Sequence, residues 1–282
     1  MNISLVLQMA ADTFPDRVAL TSNGVHYTYG RLYASAQAAA ARIAQSGAAY
    51  VSYLGESSAA TVIALFGAAM AGKPFAPLNY RLTVAETNRL IERLFPVFLI
   101  ADEDKIATVP EGAAAVLMSP AQFLDATDSD EVGEREDSQD EEGVAVQLFT
   151  SGTTGEPKAA LLRNQNLLGY ILGTVEFASA DEEEATLMSV PPYHIAGISA
   201  ILSSIYAMRR IVQLPQFTPA EWLRQCSEQK VTNAFVVPTM LTRIIAHLDE
   251  SGEQADLSAL RALAFGGGKM PLPVVERALT LF

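Results

Sequence analysis

Residues 149–158 read Phe-Thr-Ser-Gly-Thr-Thr-Gly-Glu-Pro-Lys. Hydroxyl side chains, glycines and a proline follow the apolar run Val144–Thr150 and end on Lys158. Glycine allows close backbone approach and unusual dihedrals. Successive amides and hydroxyls make a donor-lined pocket suited to an anion, and lysine adds a charge. Phosphate is the first ligand such a loop suggests. A Walker loop needs G-x-x-x-x-G-K-[ST] leading into a helix, whereas here Pro157 intervenes and Lys158-Ala-Ala-Leu-Leu continues as a strand. The pattern therefore predicts a strand–loop–strand clamp of Ser151, Thr153, Thr154 and backbone amides. A glycine-rich hairpin with solvated hydroxyls is the plainer reading, and the complete T-S-G-T-T-G-x-P-K pattern argues against it.

Outward from this loop, short apolar runs alternate with helical periods. Tyr50–Leu54, Val97–Ala101, Val144–Thr150, Arg210–Leu214, Thr232–Val237 and Ala262–Phe265 read as buried strands. Ser58–Ala71, Thr83–Phe95, Asn166–Phe177, Thr218–Gln229 and Thr239–Leu248 read as helices. Capping boxes are expected at Thr83-x-x-Glu86 and at Thr218-Pro219-x-Glu221. Asn23-Gly24, between Val18–Ser22 and Val25–Thr28, signals a tight hairpin. Such alternation predicts an α/β fold of mostly parallel sheets flanked by helices. No internal repeat is legible. The expected division is a first α/β subdomain over 1–124, an acidic linker or surface loop over 125–143, and a second subdomain over 144–282 carrying the loop.

The chain has 282 residues, half of them hydrophobic, enough for a large core. Its net charge of −13 argues against a nucleic-acid partner. Most of that charge lies between Asp125 and Glu142, where acids outnumber the single Arg135, and it reads as a solvated loop rather than a cation site. No metal site of protein ligands is expected. The lone Cys226 excludes an internal disulfide framework and fits a reducing compartment. The N-terminus lacks a basic leader, and the longest apolar run, Val62 to Gly72, is too short for a bilayer. A cytoplasmic protein without a membrane span is expected.

The loop resembles the signature phosphate loop of the adenylate-forming (AMP-binding) superfamily: acyl-CoA synthetases, peptide-synthetase adenylation domains and luciferases. Further elements resemble that family in the right order. Tyr27-Thr28-Tyr29-Gly30-Arg31-Leu32 is similar to Y-x-E-L, with Arg31 in place of glutamate. Ala71-Gly72-Lys73-Pro74-Phe75-Ala76-Pro77-Leu78-Asn79 is similar to G-A-x-x-V-P-L-N. Pro191-Pro192-Tyr193-His194-Ile195-Ala196-Gly197 is similar to P-x-F-H-x-x-G. Phe265-Gly266-Gly267-Gly268-Lys269-Met270-Pro271-Leu272 is similar to the segment that lines adenine. Ala159 replaces a glycine beside the loop, where its methyl is expected to stiffen the loop or shift it.

The resemblance implies ATP-dependent activation of a small-molecule carboxylic acid to acyl-AMP, pyrophosphate release, and transfer to CoA, with Mg2+ accompanying ATP. Thr150, Ser151, Gly152, Thr153, Thr154, Gly155 and Lys158 would hold the phosphates, and Gly266, Gly267 and Gly268 would lie against adenine. Lys158 could be a solvated surface lysine; its motif position assigns it instead a mobile charge in catalysis. His194 could be a buried core histidine; its motif position places it at the mouth of an acyl pocket with Tyr193, Gly197, Pro238 and Thr239. Met240 reads as core or pocket. His26 and His247 receive no role. In the family the magnesium glutamate, the ribose aspartate, the hinge and a C-terminal domain with a catalytic lysine come after the position of Phe282. This chain is expected to be the N-terminal portion, inactive alone. T-S-G-T-T-G favours an acyl- or aryl-CoA synthetase of the kind used in fatty acid metabolism. An enzyme loading a carrier protein, of peptide-synthetase or fatty-acyl-AMP ligase type, and a non-catalytic nucleotide- or acyl-binding fragment are the alternatives.

Overall fold

A computed structural model describes residues 1–129, 140–150, 157–252 and 255–282. After an opening helix, α1 (Ser4–Thr13), the chain runs twice through one order of elements. The first round is the hairpin β1 (Val18–Ser22) and β2 (Val25–Thr28), then α2 (Tyr29–Gln45), β3 (Tyr50–Leu54), α3 (Ala59–Met70) and β4 (Phe75–Pro77). It continues with α4 (Val84–Arg93), β5 (Val97–Ala101), α5 (Glu103–Ile106), β6 (Val116–Met118) and α6 (Pro120–Thr127). The second round is the hairpin β7 (Val144–Thr150) and β8 (Lys158–Arg163), then α7 (Asn164–Thr174), β9 (Ala185–Met188), α8 (Ile195–Ala207) and β10 (Arg210–Gln213). It ends with α9 (Pro219–Glu228), β11 (Asn233–Val236), α10 (Pro238–Ser251), β12 (Ala262–Phe265) and α11 (Leu272–Leu281).

Two six-stranded sheets result, ordered β6-β5-β3-β4-β7-β8 and β12-β11-β9-β10-β1-β2. The orders are equivalent once the rounds are superposed. The internal repeat absent from the residues is thus present in the topology. Each round's hairpin pairs with the other round's sheet: β1 lies parallel to β10, and β7 parallel to β4. Only the hairpin contacts, β1 with β2 and β7 with β8, are antiparallel among the described pairings. The acidic segment 125–143 is therefore not where the sheets part, because each sheet draws strands from both sides of it.

Local chemistry explains the elements. β3, β5 and β9 are almost wholly buried, as strands covered on both faces must be. Asn23 and Gly24 both take positive φ, +50° and +78°, the turn whose twist suits a two-residue hairpin. Thr83 and Glu86 close the expected capping box, the Thr83 amide donating to Glu86 Oε2 at 2.9 Å. At α9 only half of the expected box forms. Thr218 Oγ1 accepts from the Glu221 amide at 3.2 Å, but the Glu221 carboxylate turns forward to Arg224 at 2.6 Å. That guanidinium also holds the Glu221 carboxyl below its ordinary pKa.

The apolar run Val62 to Gly72 lies largely in α3, whose every residue is buried. The helix touches β3 and β4 of one sheet and β1 of the other. Gly67 lets α2 come close: a Cβ there would sit 2.7 Å from the Ala39 methyl. Among the described residues no helix is long and apolar enough to cross a membrane.

Candidate functional site

Parallel strands collect their following loops at one edge, and ligands in open α/β sheets sit there. A cleft of about 210 Å³ occupies this position. Its walls come from the segments that follow four strands: Tyr80 and Arg81 after β4, Ser189 to Pro191 with Tyr193 and His194 after β9, Leu214 and Pro215 after β10, and Val237, Thr239 and Met240 after β11. Phe217 and Arg243 complete it. β4 and β7 are neighbours in register, Phe75 opposite Val146, so the loop after β7 and the Tyr80 segment leave adjacent parallel strands.

The loop's stem is well defined. Thr150 pairs with Lys158 as the last rung between β7 and β8, which is the expected strand–loop–strand arrangement. Ser151, Gly152, Thr153, Thr154 and Gly155 lie outside the described residues. Ala159 pairs with Phe149 inside the hairpin, so its methyl belongs to the strand and not to the loop. Arg93, at the end of α4, braces both sides of the loop: Nη1 donates to the Pro157 carbonyl at 2.8 Å, and the guanidinium lies 5.2 Å over the Phe149 ring. Nothing in the sequence pattern pointed to Arg93. Arg93→Ala should weaken binding of the phosphate ligand that the sequence predicts for this loop about fivefold, from roughly 1 kcal/mol for an exposed charged hydrogen bond and stack, without lowering thermal stability. Calorimetric titration checks this, and an unchanged affinity would remove the bracing role.

Tyr193 and His194 stand side by side at the start of α8, ring centroids 4.7 Å apart, and Tyr80 meets Tyr193 edge-on at 6.0 Å. Burial lowers the His194 pKa from its ordinary value and raises that of Tyr193. At neutral pH both are therefore uncharged. Thr239 and Met240 both line the cleft. Gly197 and Pro238 do not line it. Gly197 is a packing residue: a Cβ there would lie 2.5 Å from the Pro191 carbonyl oxygen, so only glycine lets the first turn of α8 rest on Pro191 and Pro192. Pro238 is the first residue of α10.

The glycine turn borders the same cleft. Gly267 takes φ +78° and stands beside Val237, Gly268 stands beside Pro238, and Gly266 packs against the Phe235 ring. The first two are exposed. Intramolecular packing thus accounts for Gly266 and backbone conformation for Gly267. Gly268 has no such demand, since a methyl there would meet the Pro238 ring at an ordinary contact distance of 3.6 Å.

Other candidates lie elsewhere. His26 bonds Thr21 Oγ1 through Nδ1 at 2.9 Å on the first hairpin, and His247 is on α10. Arg31, the departure from the family's glutamate, pairs with Asp128 at 2.8 Å and lies 4.6 Å over Tyr27. Cys226 is buried, its thiol pushed up to about 12 by desolvation, which makes it inert. Among the described residues no three His, Cys, Asp or Glu side chains gather as a metal site.

The fold is similar to that of the N-terminal domain of FACL13 from Mycobacterium tuberculosis. The likeness has a TM-score of 0.83 at 21% identity and covers 99% of this chain and 73% of that one. The family model for AMP-binding enzymes matches residues 7–282, and the chain belongs to that family. It is 33% identical to a feruloyl-CoA synthase of an Amycolatopsis species over 231 residues, 81% of this chain and 46% of that protein. It is 28% identical to the 2-succinylbenzoate–CoA ligase of Bacillus licheniformis over 278 residues, 96% of this chain and 56% of that protein. The chain spans about half the length of the curated relatives it matches.

Proposed function

We propose that the protein is an acid–thiol ligase, which activates a carboxylic acid with ATP and passes the acyl group to CoA. The observation that carries this reading is the convergence of the β4, β9, β10 and β11 loops on one cleft, with the phosphate-type loop rooted on the neighbouring β7. An acid oxygen attacks the α-phosphorus, the bond to the bridging β-phosphate oxygen breaks, and pyrophosphate leaves. A thiol sulfur then attacks the acyl carbon, and AMP leaves. Attack of one anion on another needs neutralised charge and positioning more than it needs a base.

Ser151, Thr153, Thr154 and the amides of Thr150, Gly152 and Gly155 act as phosphate donors, with Lys158 as a mobile charge at the stem. His194, its pKa lowered by burial, offers the acid a neutral hydrogen-bond partner. A neutral ring orients the carboxylate without an ion pair that would blunt its attack. Tyr193 and Thr239 wall the acyl group, and the exposed turn at Gly267 and Gly268 receives adenine. The names of the relatives, a feruloyl-CoA synthase and a 2-succinylbenzoate–CoA ligase, favour an aromatic acid and CoA as acceptor.

Because the chain spans about half of those relatives, binding is the first test. Saturable binding of ATP is expected near the millimolar range, about −4 kcal/mol. A titration that stays linear to roughly tens of millimolar overturns the reading. A pyrophosphate-release screen over aliphatic and aromatic acids, with and without CoA, then separates a CoA ligase from an enzyme that loads a carrier protein.

A further inference from the structure

The cleft contains two arginines that the activation chemistry leaves without a task. Arg81 follows β4, and Arg243 stands on α10. No aspartate or glutamate lines the cleft with them, and among the described residues neither guanidinium forms an ion pair. Arg31, Arg209, Arg224 and Arg277 each find a carboxylate, and Arg17, Arg42, Arg93, Arg163 and Arg210 donate to carbonyl or hydroxyl oxygens. The two cleft arginines instead stack on rings, Arg81 at 5.5 Å over Tyr80 and Arg243 at 5.2 Å over Phe217. A stacked guanidinium is held flat, with its N–H edge turned away from the ring and ready for an oxyanion.

Their placement sets a distance. Thr239 and Arg243 both face the cleft, while Leu241, Ile244 and Ile245 on the other side of α10 are buried. Four residues along a helix is one turn, ~6 Å. Since α10 begins at the end of β11, Arg243 lies one turn further from the sheet edge than Thr239.

We propose that the acid this protein activates carries a second anionic group, held by Arg243 and Arg81, with Arg243 one helical turn beyond the Thr239 wall of the cleft. The proposal rests on the activation reading above and names its substrate class: a dicarboxylic acid with a short-chain or single-ring spacer, a size that suits a cleft of about 210 Å³. A bidentate arginine–carboxylate pair is the strong form of such a contact. Both arginines also make the cleft locally positive on an acidic protein, which draws in a dianion ahead of a monoanion.

The test compares glutarate and terephthalate with their monoamides, which keep the size and lose one charge. Affinities are measured by isothermal titration on this chain, with and without a non-hydrolysable ATP analogue, so that the two readings are decided separately. Each diacid is expected to bind ~10-fold or more tightly than its monoamide. Arg243→Gln should abolish that preference, Arg243→Lys should restore part of it, and Arg81→Gln should reduce it. Both side chains are exposed, so unchanged melting curves will confirm that the variants fold. Equal affinity for diacid and monoamide, a preference that survives both glutamine variants, or no binding of either acid overturns the proposal. Failure of the ATP analogue to bind, with the diacid preference intact, counts against the activation reading and leaves only the diacid-binding site standing.

Discussion

Replacing Trp222 with alanine should lower the unfolding free energy by about 3–5 kcal/mol, the cost of emptying a fully buried aromatic site. Trp222 is 0% exposed and lies in the apolar cluster between α9, α10 and the second sheet. It also donates from Nε1 to Ser189 Oγ at 3.0 Å. Ser189 is itself a wall of the cleft, so the loss reaches beyond packing. With the indole gone the buried hydroxyl has no donor, and the loop that carries Tyr193 and His194 loses its anchor. Trp222→Phe separates the two effects. It keeps most of the volume and leaves the hydroxyl unpaired, for an expected cost of about 1–3 kcal/mol. Urea unfolding curves measure both. A loss under roughly 1 kcal/mol for the alanine variant would mean that the cluster collapses around the hole.

Gly197→Ala is the second large effect, and it acts through the backbone. The added methyl would meet the Pro191 carbonyl oxygen at 2.5 Å and Pro192 Cα at 2.8 Å. Neither atom can swing aside as a side-chain tip would. Overpacking of this kind costs about 1–3 kcal/mol, and the relief is to push the first turn of α8 off the proline pair. His194 caps that turn, its backbone carbonyl accepting from the Gly197 amide at 3.0 Å, so the imidazole moves with it. A lower melting temperature together with weaker acid binding is the expected result. A variant as stable as the parent, with an unmoved His194 resonance, would show that the turn has slack.

The two variants also mark how far the sequence could be read. Strands Tyr50–Leu54 and Val97–Ala101 agree residue for residue with β3 and β5, whereas Ala262–Phe265 matches β12 in its bounds but, at the sheet edge, is mostly exposed rather than buried. Each is a short run of apolar and β-branched residues between breakers, a local signal. Asn23-Gly24 and the Thr83 box are local too. The motif around His194 located one wall of the cleft because the residues there are contiguous. Tyr80, Arg81, Phe217 and Arg243 are scattered over three segments, and only the strand order brings them together. One signal was present in outline: each of the first three lies within a few residues of a strand's carboxyl end, and Arg243 lies one turn beyond Thr239. Gly197 and Pro238 were legible as special positions but not as packing residues, since a motif records which residue is needed and not what it touches. Partner choice between strands was the least legible, because β1 carries nothing in its five residues that names β10.

That choice of partners orders the events of synthesis. β7 meets β4 across a separation of about 70 residues, Phe75 with Val146. The sheet it completes can close once residue 163 has left the ribosome. β1 meets β10 across about 190, Leu20 with Ile211, so the first hairpin made is the last to find its sheet. At ~5–20 residues per second it waits ten to forty seconds, roughly, with an open strand edge that other chains could join. During that interval the nascent protein has one sheet complete and one hairpin unattached, tethered beside α2 and α3. The crossing of the two hairpins thus makes the earliest residues of the chain dependent on nearly the latest, and places the greatest hazard of misassembly at Val18–Thr28.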